Sequence, residues 1–174
     1  MDEDELVLVA AGLMHDVGKV VQRSGRPSRH QNLSEKFVAD FLSSVVDVSS
    51  VRDLVLRHHE GVSYGPLGFL VRADHVSAME RDVELEEDNM ASYKSLYRLL
   101  QSPLTNKFYY GLNPLDLSPD LKALKPVVEI TCSENDYENL LKKLEGELGR
   151  LKQLYSGSGS GLAYIVTLAE VLRK

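Results

Sequence analysis

The chain has 174 residues, of which 43% are hydrophobic, 26% charged and 7% aromatic, and its formal net charge is −6. Collagen-like, disordered and membrane-spanning classes are excluded, since no apolar run nears the roughly 18 residues a spanning helix needs, and the acidic balance argues against a general nucleic-acid-binding surface without excluding a local basic track. The start Met1-Asp2-Glu3-Asp4-Glu5 is acidic where a secretory signal is basic, so a cytoplasmic location is expected, and the one cysteine, Cys132, rules out an internal disulfide or a multi-cysteine zinc site.

From Leu6 to Gln22 apolar residues keep helical register at Leu6, Val9, Leu13, Val17 and Val20, which predicts one buried helix with His15 and Asp16 at its middle. Arg23-Ser24-Gly25-Arg26-Pro27-Ser28-Arg29-His30 reads as a loop, because Gly and Pro stop the helix, and its three arginines make it the most basic segment. Asn32 with Glu35 three residues on is a capping-box pattern, opening a second helix through Phe37, Phe41, Leu42 and Val45. Ser49 or Ser50 caps a third, with Val51, Leu54, Val55 and His58 on one face and Gly61 closing it, which puts His58 and His59 in its last turn. Pro66 suits the first turn of a fourth, whose inward stripe is Leu67, Leu70, Val71, Asp74 and Ala78. Asp74 is a carboxylate on an apolar face, where an ionised group is costly unless paired or bound to metal.

After Arg81 the residues Asp82, Glu84, Glu86, Glu87 and Asp88 form an acidic connector and mark a domain edge. A short helix is expected from Ala91 to Gln101, a proline-punctuated extended segment from Phe108 to Pro126, and a helix whose seam is Tyr137, Leu141, Leu144, Leu148, Leu151 and Tyr155. Such a seam is read as core or partner-helix packing. The Ser-Gly alternation from Ser156 to Gly161 behaves as flexible coil and resembles an engineered linker, with a natural low-complexity loop as the alternative. The expected architecture is mainly α: a helical bundle over 1–81, a connector and helical extension with a short extended segment over 82–155, the Ser/Gly linker over 156–161 and a terminal helix over 162–174.

The chemistry is concentrated at the front. His15, His30, His58, His59 and His75 all fall in the first 75 residues and the remaining 99 contain no histidine. His15-Asp16, His58-His59-Glu60 and Asp74-His75 set adjacent metal-type ligands on three helices predicted to be buried round one small core. Neighbours on a helix diverge by about 100°, so each pair can approach one metal from two directions or serve two. A lone histidine on an apolar face is more often a satisfied core residue than a ligand, but here that reading must hold several times over. Imidazole favours manganese, iron, nickel or zinc, and a carboxylate can bridge two ions. A dinuclear site of this kind would bind a hydroxide nucleophile and clamp phosphoryl oxygens in displacement, which suits phosphoester hydrolysis. Lys19 emerges one turn beyond His15 and Asp16, where it either stabilises a leaving oxygen or is an ordinary helix lysine. Arg23, Arg26 and Arg29 either lead a phosphate backbone toward the site or simply make a soluble loop.

His15-Asp16-Val17-Gly18-Lys19 is similar to the His-Asp-x-Gly-Lys signature of the HD superfamily of metal-dependent phosphohydrolases. With Ala10-Ala11-Gly12-Leu13-Met14 before it, then His30-Gln31, Ser34, His58-His59 and the run from Ala73-Asp74-His75 to Met79-Glu80-Arg81, the chain resembles the N-terminal HD nuclease domain of the large polymerase-like subunit of type III CRISPR effector complexes, nearer the III-A form. Phe108-Tyr109-Tyr110 followed by Pro114-Leu115-Asp116-Leu117 is similar to the segment leading toward that family's first palm domain, so the resemblance spans most of residues 6–155. It implies a permuted HD helical bundle and a metal-dependent deoxyribonuclease cutting single-stranded DNA, in a complex with guide RNA and other subunits that serves antiviral defence.

By motif, the resemblance makes His15, Asp16, His58, His59 and Asp74 metal ligands and His30 a further one, with His75 next in line; His15, Asp16 and Lys19 are the implied catalytic set. Most HD proteins carry a ligand histidine on a helix before the His-Asp pair, and nothing upstream of His15 can serve, so His30 or His75 is left as the substitute. One or two divalent ions are expected, of manganese, nickel, iron or cobalt, and both end-on and internal cutting stay open. The family's palm domains carry a Gly-Gly-Asp-Asp motif for making cyclic oligoadenylate, whereas this chain has no Gly-Gly pair. It is therefore expected to be an HD-bearing piece without that synthesis. The alternatives are a nucleotide or cyclic-nucleotide phosphohydrolase and a non-catalytic HD docking module.

Overall fold

The computed structural model describes residues 2–43, 46–61, 64–79, 134–156 and 161–173. Regular structure among them is helical throughout, in the order α1 (Glu3–Met14), α2 (Val17–Arg23), α3 (His30–Leu42), α4 (Val48–Arg57), α5 (Gly65–Met79), α6 (Glu134–Tyr155) and α7 (Gly161–Arg173). The mainly α bundle read from the sequence is the fold. The acidic connector, the edge placed after Arg81, the helix expected over 91–101 and the extended segment over 108–126 lie outside the described residues.

The acidic start of the chain is a helix start. The Asp2 carboxylate accepts from the Glu5 N–H at 2.8 Å while the Glu5 carboxylate accepts from the Asp2 N–H at 3.0 Å, and Glu3, Asp4 and Glu5 complement the positive end of the α1 dipole. The single helix expected from Leu6 to Gln22 is in fact two. α1 ends at Met14, His15 and Asp16 form a turn, and α2 begins at Val17. The Lys19 N–H reaches back only three residues, to the Asp16 C=O at 2.9 Å. The buried face also differs from the stripe read at Leu6, Val9, Leu13, Val17 and Val20: Val7, Ala10, Ala11, Met14, Val17 and Val21 are buried on the two sides of the turn, whereas Val9 is exposed and Leu6, Leu13 and Val20 are partly buried.

Two caps also differ from expectation. α3 starts at His30, before the Asn32–Glu35 pattern, with Arg29 at the N-cap and no side-chain bond closing the helix; Glu35 is engaged across the bundle by Arg52 of α4. α4 is capped by Asp47, whose carboxylate accepts from the Ser49 N–H and the Ser50 hydroxyl, so the serines donate to the cap instead of forming it. α4 stops at Arg57, which leaves His58 as its C-cap and His59 just beyond. Pro66 occupies the first turn of α5 as expected, after a Gly65 whose φ of +68° suits a residue without a Cβ.

α1 packs on α4, α5 and α7, α3 lies against α2 and α4, and α6 crosses α2 and α3 beside α7. One hydrophobic cluster runs through all of them, with Met14, Val21, Val38, Val55, Leu70, Leu148 and Leu168 each representing one helix. The α6 seam is core packing: Tyr137, Leu141, Leu148 and Leu151 are buried, with Leu144 and Tyr155 partly so. Lys152 Nζ donates to the Asp40 C=O at 2.6 Å and the Tyr164 hydroxyl to the Phe41 C=O at 2.8 Å. These carbonyls belong to the last turn of α3, where a helix lacks its own donors. No helix among the described residues is long and apolar enough to cross a membrane.

Candidate metal centre

Four places in the bundle deliver one cluster. The α1–α2 turn presents His15 and Asp16, the first residue of α3 is His30, the end of α4 carries His58 and His59, and α5 places Asp74 one turn after its buried Leu70 and Val71. Their ligand atoms fall into two groups of three, His30 with His58 and His59, and His15 with Asp16 and Asp74, each close enough to hold one ion. His30 Nε2 stands 3.0 Å from His59 Nε2 and 3.4 Å from His58 Nε2. In the other group His15 Nε2 lies 3.3 Å from Asp74 Oδ1 and 3.6 Å from Asp16 Oδ2.

Asp16 connects the two. Its Oδ1 is 3.6 Å from His30 Nε2 and 4.0 Å from His58 Nε2, while its Oδ2 accepts from Lys19 Nζ at 2.8 Å. His30 and His58 form a floor that is 1% exposed at each residue, whereas the Asp16, Lys19 and Asp74 side chains are 31%, 33% and 23% exposed. The cluster is therefore closed at His30 and His58 and open at its carboxylates and at His59, which is exposed.

Backbone carbonyls fix the imidazoles. His15 Nδ1 donates to the Gly12 C=O at 2.8 Å and His58 Nδ1 to the Val55 C=O at 2.6 Å, so in each neutral ring the lone pair is on Nε2, aimed into the cluster. Burial lowers the His58 pKa to about 4, with His59 and His15 adding to the effect and the Val55 carbonyl and Asp16 opposing it. His58 is thus a neutral base at physiological pH. Burial also works to lower His15, but Asp74, Asp16 and the Gly12 carbonyl together carry its pKa above the ordinary value. The hydrogen bond that the protonated His15 ring gives through Nε2 leads the causes that hold Asp74 at about 2, against burial. For Asp16 burial pulls upward, and Lys19 and His15 outweigh it to keep the carboxylate below its usual range.

The residues fit a divalent ion. Asp16 Oδ1 is buried with no hydrogen-bond partner, an expensive state for a carboxylate oxygen unless a cation is its partner. Around it are imidazole nitrogens and carboxylates, the donors that transition ions favour. Of the two histidines left open by the sequence, His30 lies in the cluster; His75, next to Asp74 on α5, is exposed and belongs to neither group. Among the basic residues, Arg26 and Arg29 are exposed on the loop that ends at His30, while Arg23 is the last residue of α2 and is buried.

Gly18 and Ser34 are part of the site although neither can bind metal. Ser34 Oγ accepts from the Gly18 N–H at 2.8 Å and donates to the His15 C=O at 2.7 Å. A Cβ on Gly18 would meet the His30 carbonyl at 2.0 Å and the Ser34 nitrogen at 2.6 Å. Only a residue without a side chain lets α2 lie this close to the start of α3. Both residues stand in the motif quoted from the sequence, Gly18 in His15-Asp16-Val17-Gly18-Lys19 and Ser34 one turn after His30, but nothing in the sequence brings them together.

A family model described as HD domain matches residues 1–91, just over half of the chain. A search of curated proteins finds no match to it.

Proposed function

Because the chain belongs to the HD-domain family, we propose that its centre hydrolyses the phosphodiester backbone of single-stranded DNA. An HD domain whose His and Asp side chains cluster in this way is a metal-dependent hydrolase of phosphate esters. His15, Asp16 and Asp74 would hold one ion and His30, His58 and His59 a second, with Asp16 in reach of both. The chemistry a divalent ion supplies when bound is Lewis acidity toward a phosphoryl oxygen and a lowered pKa for water.

The chain's own residues do the rest. The Gly12 and Val55 carbonyls keep His15 and His58 in the tautomer that offers Nε2. Lys19 steadies the Asp16 carboxylate through one N–H, and its remaining N–H groups, at the half-exposed edge, can donate to a phosphoryl or leaving oxygen. The observation that carries a polymeric substrate is the open carboxylate side, with exposed Arg26 and Arg29 on the loop leading to His30; a mononucleotide enzyme needs a closed pocket around the base. The resemblance to type III CRISPR HD domains supports single-stranded DNA as that polymer, and an RNA-guided effector complex as the setting in which the other subunits control cutting.

The test is to incubate the chain with labelled single-stranded DNA and manganese or nickel, beside His15→Ala and Asp16→Ala. Metal-dependent cleavage by the wild type and at least a hundredfold less by both variants, about 3 kcal/mol of transition-state stabilisation, is the expected result. Equal cleavage by all three would sink the proposal. Turnover of mononucleotides with the polymer intact would make the protein a nucleotide phosphohydrolase, and metal binding without cleavage of any phosphoester would make it a docking module.

A further inference from the structure

We infer that Ser34, which offers nothing to the metal, is a positioning residue: its hydroxyl holds the break between α1 and α2 in place and so sets His15 and Asp16 against His30 at the start of α3. The inference rests on the metal-centre reading. In an unbroken helix the His15 C=O would accept from the Lys19 N–H and the Gly18 N–H would donate to the Met14 C=O. Here the Lys19 N–H goes to the Asp16 C=O instead. The His15 C=O, partly buried, and the Gly18 N–H, buried, then need other partners, since an unmet buried backbone group costs about 1 to 3 kcal/mol.

Ser34 supplies both from one atom. Its Oγ gives its proton to the His15 C=O at 2.7 Å and takes the Gly18 N–H at 2.8 Å, and the residue is fully buried. A hydroxyl is the smallest side-chain group that donates and accepts at once. Ser34 also lies four residues after His30, on the same face of α3. The contact that keeps the break open therefore sets the spacing between the α1–α2 turn and His30, whose Nε2 lies 3.6 Å from Asp16 Oδ1. Without the hydroxyl, the two orphaned backbone groups are satisfied best by re-forming helix, which shifts Asp16 relative to His30, or by admitting water, which parts α2 from α3.

Cobalt(II) binding to the whole chain tests this, because the visible spectrum of cobalt reports ligand geometry and titration reports affinity, neither requiring turnover. Ser34→Ala removes the hydroxyl while leaving a good helix former. Val38→Ala, at a fully buried position one turn further along α3, removes packing without touching either bond. We expect Ser34→Ala to bind cobalt about tenfold or more weakly with a changed spectrum, and Val38→Ala to lower Tm while keeping the wild-type affinity and spectrum. Wild-type affinity and spectrum in Ser34→Ala overturn the inference, as do equal changes in Val38→Ala, which would trace the effect to α3 stability. A wild-type chain that binds no cobalt overturns the metal-centre reading and this inference with it.

Discussion

His58 is held neutral by its surroundings, and that has a cost that depends on pH. The unfolded side chain titrates near 6.5 whereas the folded one resists protonation until about 4. Across that window the unfolded chain binds more protons, so the metal-free protein loses stability as the pH falls from 6.5 toward 4, by on the order of 3 kcal/mol from this residue. His15 has the opposite sign: its folded pKa is raised, so its contribution is complete below 6.5 and is lost as the pH rises through the folded value. Urea unfolding of the chelator-treated protein at pH 4.5 and 6.5 should give a lower midpoint at 4.5, and His58→Gln should narrow the gap. Gly18→Ala belongs to the same scale. Its methyl would sit 2.0 Å from the His30 carbonyl, so the backbone must shift, at about 3 kcal/mol or more, the upper end of the range for overpacking. Metal titration should show weakened binding beside the lowered unfolding midpoint; wild-type values for both would mean that α2 and α3 have room to part. Adjacent ligand-type residues on apolar faces made His15-Asp16, His58-His59 and Asp74 legible in the sequence. Ser34 was not legible as a support, because a lone serine in a helix has no periodic signature and its partners are backbone atoms of another element.

The helices themselves were legible wherever burial and periodicity agree. Val51, Leu54, Val55 and His58 do share a buried face, and the α6 seam does pack inward. The α1–α2 break was hidden because the break is decided by where two backbone groups find partners, which apolar spacing does not record, and there the larger apolar side chains also misled about the buried face, since Ala10 and Ala11 are buried and Val9 is exposed. Caps failed for a related reason. Glu35 had a cross-bundle arginine available as well as its own helix start, and Asp47 outcompeted the serines beside it as an acceptor. α6 carries a prediction at this scale. Leu148 is fully buried in the cluster that also contains Met14 and Val38, so Leu148→Ala should cost about 2 to 5 kcal/mol. Circular dichroism and tyrosine fluorescence should report one shared transition at a lower midpoint; a separate early transition would mean that α6 unfolds independently of the bundle.

At the scale of the whole molecule, charge and approach matter most. The chain is acidic overall, at −6, so a polyanion is repelled except along a local basic path. If exposed Arg26 and Arg29 each neutralise one phosphate, replacing both by alanine should flatten the dependence of log affinity on log salt by about 1.4 for a single strand, read by fluorescence polarisation at several salt concentrations. An unchanged slope would place the path elsewhere. Arg23→Ala, at a buried position, should act on the unfolding midpoint instead. The far end of α3 has a different kind of consequence. Its carbonyls are closed by Lys152 and Tyr164, which lie more than a hundred residues downstream of the Asp40 and Phe41 they bond. A ribosome makes every histidine of the centre long before it makes these closing residues. During synthesis the reactive half of the molecule must therefore wait, with part of its apolar surface bare, for the helices that finish it.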